Sequence, residues 1–207
     1  MSTSELAVRS PWAWRTVDFV VTAVLAVAFG VIFWGWDHLY GLAFPLFVAF
    51  PPTISLIGGV WTIAAVVGAA IVRRPGAALL TEVLAAAVEL LLGNQFAVIA
   101  LVSGLLYGVG IELVLAAFRW KRWGLPMLAL GIAFGAFLQS FWGVNLYHPT
   151  WSLGWKIANG VGGIISAAVI GAGLGWVITR ALARAGVLNA FPIAREVSQV
   201  AAAAPAQ

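Results

Sequence analysis

The sequence predicts an all-α integral membrane protein with six transmembrane helices and both termini in the cytoplasm. Three observations carry that prediction. Of 207 residues, 63% are hydrophobic and 9% are charged, whereas a soluble domain needs roughly 25% charged residues to solvate its surface. Of the eleven Lys and Arg residues, all but Lys156 fall in four clusters. These are Arg9 and Arg15; Arg73 and Arg74; Arg119, Lys121 and Arg122; and Arg180, Arg184 and Arg195. Each gap between clusters is long and apolar enough for two crossings, and positive charge is retained on the cytoplasmic side.

A span needs about 20 mostly apolar residues at 1.5 Å each. The first runs from Trp14 to Trp36, as a full span rather than a cleavable signal peptide. Asp37, His38 and the stretch to Pro51 and Pro52 then read as an apolar outer loop. The second span covers Thr53 to Val72 and stops at Arg73 and Arg74. Pro75 suits a helix start, so the third runs from there to Leu92, where Gly93 and Asn94 tolerate the left-handed turn that ends a helix. The fourth runs from Phe96 to Phe118 and the fifth from Leu125 to Trp142. Asn145 to Ser152 reads as an outer loop, and the sixth span runs from Leu153 to Arg184. Residues 1–188 thus form a single membrane domain, and residues 189–207 a cytoplasmic, partly disordered tail.

Small residues predict where helices approach closely. Thr22, Ala26 and Gly30 form a ridge on the first helix, and Gly171 and Gly175 form one on the sixth. The first ridge either packs within the chain or, on an outer face, docks another membrane subunit.

Acidic residues within a span are costly and face the bundle interior. Glu82 and Glu112 stand at one level near the cytoplasmic end. There they form a polar layer with Tyr107, or pair with Asp18 and the basic cluster. Glu89 stands in the outer half, where no basic residue is predicted at its depth, Lys156 being the nearest. Rise counting gathers Trp61, Asn94, Gln139, Trp142 and Asn159 at that level, with Asn145, Tyr147 and His148 above. A carboxylate, amides and aromatic faces suit a flat, polar heteroaromatic molecule, neutral or cationic.

Other chemistries lack their residues. The sequence has no cysteine, no glycine-rich phosphate loop and no nucleophile–base–orienter set. His38 and His148 have no metal-ligand spacing. No enzyme, cofactor or metal site is expected. The net charge of +4 comes without a basic aromatic patch, so nucleic acid is not a partner.

The stretch from Arg73 through Pro75, Gly76, Ala77 and Ala78 to Leu79, then Glu82, Glu89 and Leu91 to Asn94, resembles the YkoE family. Gly59 with Trp61, the segment Arg119 to Lys121, and Gly186 to Asn189 add to the resemblance, which spans about Val60 to Asn189. It implies an S-component-like bundle, the substrate-binding subunit of an energy-coupling factor (ECF) vitamin transporter in the bacterial inner membrane. It implies a site open to the outside for thiamine or its hydroxymethylpyrimidine precursor. A membrane T component and two ABC ATPases would be partners, driving a toppling motion that releases substrate inside. Glu82, Glu89, Gly93 and Asn94 stand on the family motif. A stand-alone secondary carrier with a proton-coupling Glu is the alternative, though no inverted repeat or broken-helix signature is evident.

Overall fold

The computed structural model describes residues 12–203, and every regular element among them is helical. Arg9, counted with the first basic cluster, lies outside the described residues. In chain order the helices are α1 (Thr16–Ala43), α2 (Ile63–Val72), α3 (Ala77–Leu91), α4 (Ile99–Ala117) and α5 (Leu125–Tyr147). Then come α6 (Leu153–Ser166), α7 (Ala172–Arg184) and α8 (Pro192–Ala203). Five helical stretches are long and apolar enough to cross a membrane: Thr16–Phe47, Pro51–Val72, Ile99–Ala117, Leu125–Tyr147 and Leu153–Arg184. The third predicted span, α3, has 15 residues. That is about 22 Å of helix, less than a ~30 Å hydrocarbon core.

α1 has 28 residues and continues past the predicted end at Trp36, because no proline interrupts the chain before Pro45. Asp37 and His38 are therefore helical, not part of an outer loop. The buried residues Thr22, Ala26, Gly30, Phe33 and Asp37 recur at helical spacing and share one face. That face meets α3. A methyl added at Gly30 would stand 2.5 Å from Val88 Cβ and 2.8 Å from the Ala85 carbonyl oxygen. The ridge of Thr22, Ala26 and Gly30, read either as internal packing or as a docking face for a partner, is an internal seam, with Thr22 1% and Ala26 2% exposed. Its residues are small because the α1 and α3 backbones nearly touch.

Pro51–Thr62 is wound as a 3-10 helix of 12 residues, long for a form usually limited to one turn. A neighbour holds it. The Ser166 hydroxyl donates to the Leu56 carbonyl (2.7 Å) and accepts from the Gly59 amide (2.8 Å). Those are the two groups that a 3-10 bond would join. In lipid such backbone groups must find partners within the protein, and a side chain supplies them here. Every residue of α2, from Ile63 to Val72, is buried. Its first turn is met by Glu82, whose Oε2 accepts from the Ala65 amide at 2.6 Å. Glu112 does the same for α3, accepting from the Ala78 amide at 3.0 Å and from Trp120 Nε1 at 3.3 Å. Carboxylates are favoured at helix N-termini, where amides lack helical partners.

α5 continues to Tyr147, so Asn145 and Tyr147 are helical rather than in a loop. α6 and α7 form one rod through a π-helical turn at Ala167–Gly171. Within the segment read as a partly disordered tail, Pro192–Ala203 folds as α8, with Phe191 2% exposed just before it and Ile193 1% exposed in its first turn.

Basic residues gather at one end of the bundle. Asp18 accepts from the Arg15 guanidinium at 2.6 to 3.2 Å and lies 3.5 Å from Arg74 Nε. The carboxylate raises the Arg15 pKa still further above its ordinary value. Arg73 grips Glu196 of α8 with two nitrogens, at 2.5 and 2.8 Å. Trp14 Nε1 donates to the Pro75 carbonyl at 3.1 Å. The other end opens into a cavity.

Candidate substrate-binding site

A cavity of about 530 Å³ lies between α1, the 3-10 segment, α3, α4, α5 and α6. Concave sites for small organic ligands fall in the range of roughly 300–1,000 Å³. Six residues predicted at this level line it: Trp61, Glu89, Gln139, Tyr147, His148 and Asn159. Asn94, Trp142 and Asn145 do not. Both Asn94 amide atoms are buried without a partner. Trp142 is 36% exposed. Asn145 is occupied: its Oδ1 accepts from Lys156 Nζ at 2.8 Å and its Nδ2 donates to the Phe141 carbonyl at 2.8 Å.

Lys156 also donates to the Pro149 carbonyl at 3.2 Å, so it staples the end of α5 to the turn beyond. It does not reach Glu89. Glu89 is 2% exposed and its Oε1 has no hydrogen-bond partner. A buried carboxylate oxygen without a donor is costly, and the Glu89 side chain lines the open chamber.

Asp37 was missed by the sequence reading. One turn beyond Phe33 on the buried face of α1, it is 3% exposed and its carboxyl group neighbours that of Glu89. Its Oδ1 accepts from Trp61 Nε1 at 3.1 Å, and its backbone oxygen accepts from Gln95 Nε2 at 2.8 Å. Its Oδ2 has no partner. The available signal was periodicity, since Asp37 continues the stripe of Thr22, Ala26 and Gly30.

Around the acids stand four rings that line the cavity: Tyr40, Trp61, Phe96 and Tyr147. Trp61 meets Tyr40 edge-on at 4.9 Å and Phe96 at 5.6 Å, and Phe96 meets Tyr147 at 5.9 Å. Edge-to-face contacts lock the rings and add roughly 0.5–1.5 kcal/mol per pair. Of these, only Trp61 and Tyr147 were expected. Phe96 was read as the first residue of α4, but it lies on the turn before that helix, beside Ala97 at φ +51°. At the mouth, His148 stacks on Trp151 at 3.7 Å, and burial holds its pKa below the ordinary imidazole value. Asn159 Nδ2 donates to the Pro52 carbonyl at 3.3 Å, tying α6 to the start of the 3-10 segment.

A multi-pass helical bundle that encloses one such chamber between its helices has the build of a membrane solute-binding subunit. The comparisons agree. The family described as "ABC-type cobalt transport system, permease component" matches residues 17–138. YkoE of Bacillus subtilis (strain 168), named as an HMP/thiamine permease protein, is 32% identical over 194 residues, covering 90% of this chain and 94% of its own. A solved structure described as "Crystal structure of an S-component of ECF transporter" superposes with a TM-score of 0.80 at 31% identity. It covers 90% of this chain and 94% of that one. This chain belongs to the YkoE family of ECF-transporter S components, multi-pass membrane proteins that are not enzymes.

Proposed function

We propose that this chain captures thiamine or its hydroxymethylpyrimidine precursor from outside the cell for an ECF-type importer. It works with a membrane T component and two ABC ATPases in the bacterial inner membrane. The observation that carries this reading is the unpartnered Oε1 of Glu89 in a chamber walled by rings and amides. A carboxylate pairs with an amino group or ring nitrogen of a pyrimidine, or with the thiazolium charge, through charge-assisted contacts. Trp61 offers a stacking face, and Gln139 and Asn159 offer amides that read the rings. The short α3 makes the sixth crossing, packed on one face against α1, α2 and α4 and turning Leu84 and Leu91 outward. With the basic end in the cytoplasm, both chain ends lie inside and the chamber opens outward.

Calorimetric titration of the detergent-purified protein with thiamine and with hydroxymethylpyrimidine tests the reading. Glu89→Gln is expected to weaken binding at least tenfold, about 1.4 kcal/mol. Full affinity in that variant removes Glu89 from the site. Uptake into vesicles holding this chain alone, without T component or ATPases, would establish the secondary-carrier alternative instead.

A further inference from the structure

We infer that the turn between α4 and α5 is a binding site for the phosphate of an anionic membrane phospholipid. The inference goes beyond the vitamin reading and shares no residue with the cavity. Basic residues at this end of the bundle are of two kinds. Arg15 and Arg74 lie against Asp18, and Arg73 grips Glu196. Arg119, Lys121 and Arg122 are exposed, and among the described residues no acid forms an ion pair with them. Glu112, the acid of α4, is taken by the Ala78 amide and the Trp120 indole.

The turn is a fixed structure. Arg119 and Trp120 both adopt left-handed backbone, at φ +53° and +52°, which residues with a side chain accept at a cost. Backbone bonds hold that shape: the Trp120 amide donates to the Leu115 carbonyl at 2.7 Å and the Arg119 amide to the Ala116 carbonyl at 2.8 Å. The Trp120 ring also meets Trp12 edge-on at 5.3 Å. Trp120 thus folds back on the bundle while the three cations beside it stay exposed. α5 starts directly afterwards. Its cap residue is Gly124, no side chain caps it, and its first turn holds no acid, so its amide end adds partial positive charge suited to a phosphate. Trp12, 46% exposed, and the half-buried Trp120 and Trp123 frame the turn. Tryptophan settles at headgroup depth, so a lipid rather than a soluble ester presents its phosphate here. Each basic residue near an anionic lipid surface strengthens attraction about fivefold.

The test places the full chain in nanodiscs of equal parts phosphatidylglycerol and phosphatidylcholine and counts the lipids it retains by native mass spectrometry. Three proteins are compared: the wild type, a variant combining Arg119→Gln, Lys121→Gln and Arg122→Gln, and a control combining Arg184→Gln and Arg195→Gln. The control removes two other exposed cations, one of them in the last turn of α7. The wild type is expected to retain phosphatidylglycerol over phosphatidylcholine by at least about tenfold. The triple variant should lose most of that preference, and the control should keep it within about twofold. Full preference in the triple variant overturns the inference. So does an equal loss in the control, which would mean a diffuse positive field rather than a site. Glycerol 3-phosphate that displaces phosphatidylglycerol from the wild type would make this a site for free anions and also overturns it. Lys121→Gln and Arg122→Gln are measured singly as well, each expected to lower retention several-fold, so that a triple variant that fails to fold leaves the outcome decidable.

Discussion

Two aspartates on one helix have opposite fates. Asp18 and Asp37 both sit on α1, both are buried (0% and 3% exposed), and 19 residues of helix separate them by about 28 Å. Asp18 is saturated: it takes the Arg15 guanidinium, the Arg15 amide at 2.8 Å and the flank of Arg74. Asp37 takes one indole N–H and keeps one oxygen empty. Glu82 and Glu112 resemble the first, each answered by a helix-start amide. Glu89 resembles the second. Asp18, Glu82 and Glu112 are thus fastened to groups of the fold, Glu82 even though it lines the cavity, while Asp37 and Glu89 each keep an oxygen open, which the proposed ligand would answer.

Breaking that contrast at its strong side gives the largest effect. Asp18→Ala removes the buried acceptor that the Arg15 guanidinium and amide share and should lower stability by about 2–3 kcal/mol, read as a lower thermal midpoint in detergent. Ligand affinity of the molecules still folded should not change. Ala26→Leu comes next. It overfills the seam between α1 and α3, costs about 1–3 kcal/mol, and should weaken ligand binding because the same helix carries Asp37. Normal stability in Ala26→Leu with lost assembly to a T component would return the ridge to an outward face.

Glu89→Gln sharpens the contrast from the other side. Its tenfold binding loss, about 1.4 kcal/mol, should come with no fall in thermal midpoint, since the substitution removes an unanswered acid. The smallest effect belongs to Glu196, half-exposed, whose carboxyl the Arg73 guanidinium holds below the usual range. A depressed folded-state value stabilises above the free carboxylate's pKa of about 4.3, and that stabilisation is lost as pH falls through the folded value. Hydrogen exchange over residues 192–203, taken relative to the intrinsic amide rate at each pH, should therefore quicken in acid. Glu196→Gln should quicken it already at neutral pH, by well under about 1 kcal/mol.

Much of this was legible because charge and lipid leave blunt marks. Arginine clusters delimit the spans, and Glu89 stands out as an acid at a depth without cations. The motif from Arg73 to Asn94 identified the family. Asp37 escaped because a Trp-Asp-His run near the end of an apolar span looks like the start of a loop. Only the continued four-residue spacing from Thr22 shows that the helix persists. The tail from Asn189 escaped for a different reason: its alanines advertise no core, and α8 is held by Phe191, Ile193, Val197 and the Arg73–Glu196 ion pair. The 3-10 winding of Pro51–Thr62 could not be read at all, since the hydroxyl that sustains it comes from Ser166, 110 residues beyond Leu56.

That one hydroxyl has a mechanical meaning. Twelve residues wound three to the turn reach about 24 Å, roughly 6 Å beyond the same residues as an α-helix. The extra reach lifts Ser55 and Gly58 to ligand height while Arg73 still emerges at the opposite end. Ser166 therefore works as a spacer, and the height of the chamber is set by a rod that never supplies the backbone it stretches.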